Sequence, residues 1–194
     1  TIALDSSARD SDDPLLNQGF IDFASGPRDI VIGAGFTGSA PPAAAVPAAF
    51  NGQALIGARA LSGAGFDVLT LRTAPAGGSA PATPDSTASV RFEGDVDLTT
   101  GARIVLDSPV IASDGGRVTL AAPHVALGHS PLNFRVDAAT TTGNGHLLVE
   151  ADLIELVGNL ATQGFAAPGT GTPGVTLHSR GDLRLRGIRF NTFT

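Results

Sequence analysis

Short stretches with an apolar residue at every second position recur along the chain. Val90-Arg91-Phe92, Val96-Asp97-Leu98, Val118-Thr119-Leu120 and Val125-Ala126-Leu127 have this form. Leu147-Leu148-Val149, Ile154-Glu155-Leu156, Val175-Thr176-Leu177 and Leu183-Arg184-Leu185 continue it. Period two is the mark of a strand with one buried face. Taken in pairs, the first members start at 90, 118, 147 and 175, and the second at 96, 125, 154 and 183. The spacing predicts a repeat of about 28–29 residues. A fixed step of this size points to stacked units, each unable to bury its apolar face alone.

The same pattern reaches toward the N-terminus with less regularity, at Ile2–Leu4, Ile21–Phe23, Ile30–Ile32, Leu55-Ile56 and Phe66–Leu71. A third strand per unit is expected at Ile104–Leu106 and Leu132–Val136, with Leu160 marking it in the next. Three insertions interrupt the pattern, at 37–52, 74–88 and 166–174. In the first, Pro41, Pro42 and Pro47 exclude a regular helix and a central strand. No stretch carries apolar residues at i, i+3, i+4 and i+7 between caps, so helices are expected to be almost absent. Thr1–Leu4 reads as the middle of a strand and Arg189–Asn191 as a strand cut short. The whole of 1–194 therefore reads as one solenoid segment of a longer chain. Its coils are less regular over 1–60 and regular over 61–194.

The fold class this predicts is all-β, a parallel β-helix with Pro/Gly/Ala-rich loop insertions. Residue n then pairs with n+29 in the next coil, about 4.8 Å away. The inward rows would be Val96, Val125, Ile154, Leu183 and Leu98, Leu127, Leu156, Leu185. The outward row would be Asp97, Ala126, Glu155, Arg184, expected to be solvated. Gly94-Asp95 and Gly181-Asp182 read as the same corner, Gly supplying positive φ and Asp a cap.

Composition narrows the function. The net charge is −6 and the basic residues are 12 scattered Arg with no Lys, which argues against nucleic acid and anionic membranes. No apolar run reaches about 18 residues, so membrane insertion is not expected. There is no Cys, hence no disulfide or thiol chemistry. Aromatics are 5%, all Phe, so the core must be built from small and β-branched side chains.

Several strings resemble one known family. They are Gly65–Leu71, Val90–Leu98, Gly116–Leu120 running on to Val125–Gly128, Leu153–Gly164 and Ser179–Leu185. Their order and spacing over about residues 60–190 resemble the filamentous haemagglutinin family of Gram-negative exoproteins. The resemblance implies a right-handed parallel β-helix, export through an outer-membrane two-partner-secretion transporter, and a secreted or cell-surface location. The function it implies is that of a structural or adhesive shaft in adhesion, biofilm formation or toxin presentation, with a host or neighbouring cell surface as partner. Two other readings stand beside it: a polysaccharide-binding or -cleaving β-helix, and a subunit of a self-assembling extracellular filament that associates end to end or laterally.

Candidate sites are few, and neither catalysis nor a cofactor is expected. Arg180-Gly181-Asp182 is the integrin-type cell-binding tripeptide, but the recurrence of Gly-Asp at 94–95 favours a corner signature. Asp10, Asp12 and Asp13, with Asp5 nearby, offer oxygen ligands for Ca²⁺ without a Ca²⁺-loop spacing, so a solvated acidic loop is favoured. His124, His129, His146 and His178 do not fall in one row, which disfavours a metal site. Asp97 and Glu155, two coils apart on the outward row, would stand roughly 10 Å apart, slightly beyond the separation of an inverting glycosidase pair. With no Trp or Tyr to form a sugar platform, the shaft is the preferred reading.

Overall fold

The structure, a computed structural model, describes residues 2–5, 29–35, 53–73, 89–128, 141–158, 160–166 and 174–187. These form one curled sheet of 13 strands. In order they are β1 (Ile2–Asp5), β2 (Asp29–Gly33), β3 (Gln53–Gly57), β4 (Val68–Arg72), β5 (Ser89–Glu93), β6 (Val96–Thr99) and β7 (Arg103–Asp107). Then follow β8 (Val110–Ser113), β9 (Arg117–Ala121), β10 (His124–Leu127), β11 (Thr141–Val157), β12 (Ala161–Phe165) and β13 (Val175–Arg186). One short helix, α1 (Ala58–Ser62), lies between β3 and β4.

Every pairing is parallel, and the pairings sort the strands into three ladders. The first runs β1, β4, β7, β10, then the second halves of β11 and β13. The second runs β6, β9, then the first halves of β11 and β13. The third runs β3, β2, β5, β8, β12 and the start of β11 at Thr141. From β5 to β10 the chain visits the third, second and first ladders in turn, one short strand in each. The all-β, parallel, solenoid-like architecture expected from the alternation is therefore present.

The uniform repeat expected from the spacing is absent. Val118 lies beside Val96 and not beside Val90. Val125 lies beside Ile104 and not beside Val96. Val90 belongs to the third ladder, between Ile30 and Ile111. The later steps hold: Val118, Leu147 and Val175 align, as do Val125, Ile154 and Leu183. All three ladders use the same apolar-x-apolar strand, so strands from different ladders look alike in sequence. The bare coil, from Val96 to Val118 or from Ile104 to Val125, is shorter than the expected repeat, and coils that also hold 129–140 or 167–173 are longer. Leu132–Val136 lies outside the described residues.

The third ladder departs from sequence order at both ends. β2 sits between β3 and β5, and β12 sits between β8 and the start of β11.

Alternation places the core. Val96, Leu98, Ile104, Leu106, Val118, Leu120, Val125, Leu127, Leu147, Val149, Ile154 and Leu156 are buried, with Ile32, Val90, Phe92 and Ile111 from the third ladder. Each contributes roughly 1.5–3 kcal/mol by leaving water. At the end of the stack the rows come into the open: Val175 is 41%, Leu183 52% and Leu185 47% exposed.

Helix α1 is the one helix among the described residues, in keeping with the expectation that helices are almost absent. Its Arg59-Ala60-Leu61 centre is rich in helix formers, flanked by Gly57 in an extended conformation and by Gly63. Ala58 and Leu61, three apart, form its buried face. Ser62 Oγ donates to Asp97 O, which holds the helix against the outer edge of β6, where a strand would otherwise add.

Side chains also tie one coil to the next at the corners. Between the third and second ladders, Asp114 Oδ1 accepts from Gly94 N at 3.1 Å and Asp95 Oδ1 accepts from Arg117 N at 2.8 Å. Gly116 there has φ +83°, and an added Cβ would stand 2.6 Å from the Gly94 carbonyl carbon. Between the first and third ladders, Thr73 Oγ1 donates to Ser108 Oγ at 2.7 Å, and Ser108 Oγ donates to Val110 O at 2.8 Å.

Candidate functional site

The corner between the second and first ladders carries a surface depression. Its successive layers are Thr99-Thr100, Ala121-Ala122-Pro123, Glu150-Ala151 and His178 with Arg180. The register explains the shape. Thr99, Ala121 and Glu150 fall in one outward row that His178 continues. Alanine in the middle layers leaves a hollow between the longer side chains above and below. The groove has a volume of 360 Å³. Two side-chain contacts cross coils at its rim: Arg180 Nε lies 2.8 Å from Asp152 Oδ1, and His178 Nδ1 lies 3.7 Å from Glu150 Oε1. All four side chains are at least half exposed, so these pairs stand in water and contribute little to stability.

A second charged feature lies on the outside of the first ladder. His124 Nε2 is 2.9 Å from Glu155 Oε2, and Arg186 Nη1 is 3.8 Å from Glu155 Oε1. The Glu155 side chain is only 9% exposed. This corrects the expectation of a solvated row at position 155, and equally at Ala126, which is 5% exposed. The reason is diagonal packing. The residues directly beside Glu155 are Ala126 and Arg184, and each polar partner stands one alternation further along its strand: His124 in one coil, Arg186 in the other. A buried carboxylate needs such partners, since desolvation of an isolated charge costs several kcal/mol. The even 124, 155, 186 spacing is the readable signal for this chain of contacts.

The expected Asp97–Glu155 pair does not form. Asp97 lies beside Thr119 on the second ladder, and Glu155 beside Ala126 on the first. The two carboxylates face different sides of the stack, so no inverting pair is built from them. Gly94-Asp95 and Gly181-Asp182 are likewise not one corner. The first joins the third ladder to the second, and the other joins the second to the first.

Arg180-Gly181-Asp182 lies within β13, where its register against β11 shifts between Ala151 and Leu153. Arg180 is held by Asp152, and Asp182 Oδ2 accepts from Arg184 Nη2 at 3.3 Å. Ser179 Oγ donates to the Asp152 and Asp182 carbonyls at 3.0 and 2.8 Å. Of the tripeptide, Arg180 lines the groove's last layer.

Among the histidines, His124 is on the first ladder and His146 and His178 on the second. His129, Asp10, Asp12 and Asp13 lie outside the described residues, as does most of each insertion. Among the described residues no group of three or more His, Asp or Glu is placed to hold a metal ion, and no helix is long and apolar enough to cross a membrane. Compared with protein-family models, curated proteins and solved structures, the chain matches none.

Proposed function

We propose that this chain is a segment of the structural and adhesive shaft of a large exported bacterial protein, built as a right-handed parallel β-helix. The observation that carries the reading is the continuity of the inward rows. Ile104, Val125, Ile154 and Leu183 follow one another in the first ladder, and Val96, Val118, Leu147 and Val175 in the second. Each layer pairs its backbone with the next and adds about 4.8 Å of length. Such a rod stiffens by repetition. The order and spacing of the strings resembling filamentous haemagglutinins support export and a cell-surface or secreted location. On this reading the chain performs no catalysis and takes no cofactor. Its partners are an outer-membrane transporter and the surface of a host or neighbouring cell.

The test is immunogold labelling of intact source cells with an antibody raised to this segment. Label on the outer surface or on released fibres is expected. Label that needs permeabilised cells would overturn the proposal.

A second reading, an oligosaccharide-binding β-helix, is favoured by the groove at the second corner, which Thr99, Thr100, Glu150, His178 and Arg180 line with polar groups in three of its four layers. Retention on immobilised polysaccharide that Glu150→Ala with Arg180→Ala abolishes would support it. Equal retention of wild type and variant would remove it.

A further inference from the structure

The groove between the second and first ladders has an apolar middle and two polar ends. Ala121, Ala122, Pro123 and Ala151 line the middle, Thr99 and Thr100 one end, and Glu150, His178 and Arg180 the other. No side chain in the middle is longer than proline, so the C–H groups of a ligand can lie against it. The Thr99 and His178 layers are separated by three register steps, about 14 Å at about 4.8 Å per step. The volume of 360 Å³ is within the range of small-ligand sites.

The polar groups keep spare bonding capacity. Glu150 Oε1 stands 3.7 Å from His178 Nδ1, beyond hydrogen-bond length, and the Glu150 side chain is half exposed. A guanidinium has several N–H donors, and the contact of Arg180 with Asp152 uses the one on Nε. Thr100 Oγ1, at the other end, is the one buried side-chain polar atom among the described residues with no hydrogen-bond partner.

Charge decides the class of ligand. Arg180 and Asp152 neutralise each other, so Glu150 gives the groove its sign, and the chain as a whole carries −6. An acidic sugar would be repelled by Glu150 and Asp152, and a bond from its carboxylate to Arg180 would compete with the existing pair. A neutral sugar meets neither cost. Its hydroxyls donate to a carboxylate and accept from a guanidinium, both of which make the stronger kind of hydrogen bond. Its C–H face meanwhile covers alanine and proline. A pyranose unit is about as long as one layer step, so the groove holds about three.

We propose that this groove binds a neutral oligosaccharide of about three sugar units laid along the stack, its hydroxyls on Glu150 and Arg180 and its C–H faces on Ala121, Ala122, Pro123 and Ala151. The inference rests on the second reading above, an oligosaccharide-binding β-helix, and adds the class of sugar and the way it lies.

The test is isothermal titration calorimetry of the full chain with maltotriose, cellotriose and chitotriose, and with trigalacturonate as the acidic counterpart. At least one neutral trisaccharide is expected to bind, roughly tenfold or more tighter than trigalacturonate, with an affinity that added salt leaves unchanged. Two variants locate the sugar. Ala121→Gln fills the middle of the groove from an outward row that already carries Glu150, and is expected to weaken binding roughly tenfold. Glu150→Gln keeps the shape and removes the charge; it is expected to weaken neutral-sugar binding roughly tenfold and to narrow the gap to trigalacturonate. Circular dichroism checks that each variant keeps its strand content. Neutral-sugar binding that either variant leaves intact would place the sugar elsewhere and overturn the inference. Tighter binding of trigalacturonate, weakening with salt, would overturn the neutral class and leave the oligosaccharide reading standing. Failure of all four sugars to bind would remove the inference, while retention on immobilised polysaccharide decides the second reading separately.

Discussion

Ile154 and Leu183 occupy the same inward row in adjacent layers, yet truncating them should have very different effects. Ile154 is fully buried between Val125 and Leu183, and Leu183 is 52% exposed at the end of the row. Each change to Ala removes three carbons. For Ile154→Ala the lost transfer free energy is about 2.4 kcal/mol at ~0.8 kcal/mol per carbon. Three ladders enclose the site, so it cannot collapse freely, and a cavity term brings the total to about 3–4 kcal/mol. For Leu183→Ala about half the side chain is already in water and no enclosed cavity is left, so the cost is about 1 kcal/mol. The assay is urea unfolding followed by circular dichroism, at protein concentrations where the chain is monomeric. With a slope of about 2 kcal/mol/M, the midpoint should fall by roughly 1.5–2 M for Ile154→Ala and by about 0.5 M for Leu183→Ala, with unchanged slopes. Equal shifts for the two variants would refute the reasoning, because they would mean that the row is not open at β13.

Three further outcomes follow from the same geometry. An Asp97→Cys, Thr119→Cys double variant should form an intramolecular disulfide readily and Arg91→Cys, Thr119→Cys should not, as mass spectrometry of the oxidised chains will show; the reverse would restore the uniform longer step in place of the observed pairing of Val96 with Val118. Gly116→Ala, with φ +83° and backbone within 2.6 Å of the new Cβ, should cost about 3 kcal/mol or more, whereas Gly65→Ala, with φ +66° and open space around it, should cost about 1 kcal/mol; thermal melts giving equal losses would contradict the close approach of the two coils. Thr100 Oγ1 is buried without a hydrogen-bond partner, so Thr100→Val should leave stability unchanged or raise it by up to about 1 kcal/mol, and a clear loss would show that the hydroxyl is bonded in solution.

The sequence by itself determined what is local. Alternation of apolar and polar residues set the strands and their inward faces at Val118–Leu120, Val125–Leu127, Leu147–Val149 and Ile154–Leu156, because successive side chains of a strand point to opposite sides whatever lies next to it. The regular offsets from 118 onward were legible for the same reason, since those coils repeat one pattern with similar insertions. Only the tertiary structure decided which strand lies beside which. Nothing local distinguishes Val90-Arg91-Phe92 of the third ladder from Val96-Asp97-Leu98 of the second, so the shorter coil was hidden behind the longer step that holds only from 118 onward. The same lateral pairing separated Asp97 from Glu155, brought His124 and Arg186 to the Glu155 carboxylate, and opened the groove over Ala121 and Ala151. Side-chain direction is a property of the strand, whereas proximity between coils depends on the length of every segment wound between them.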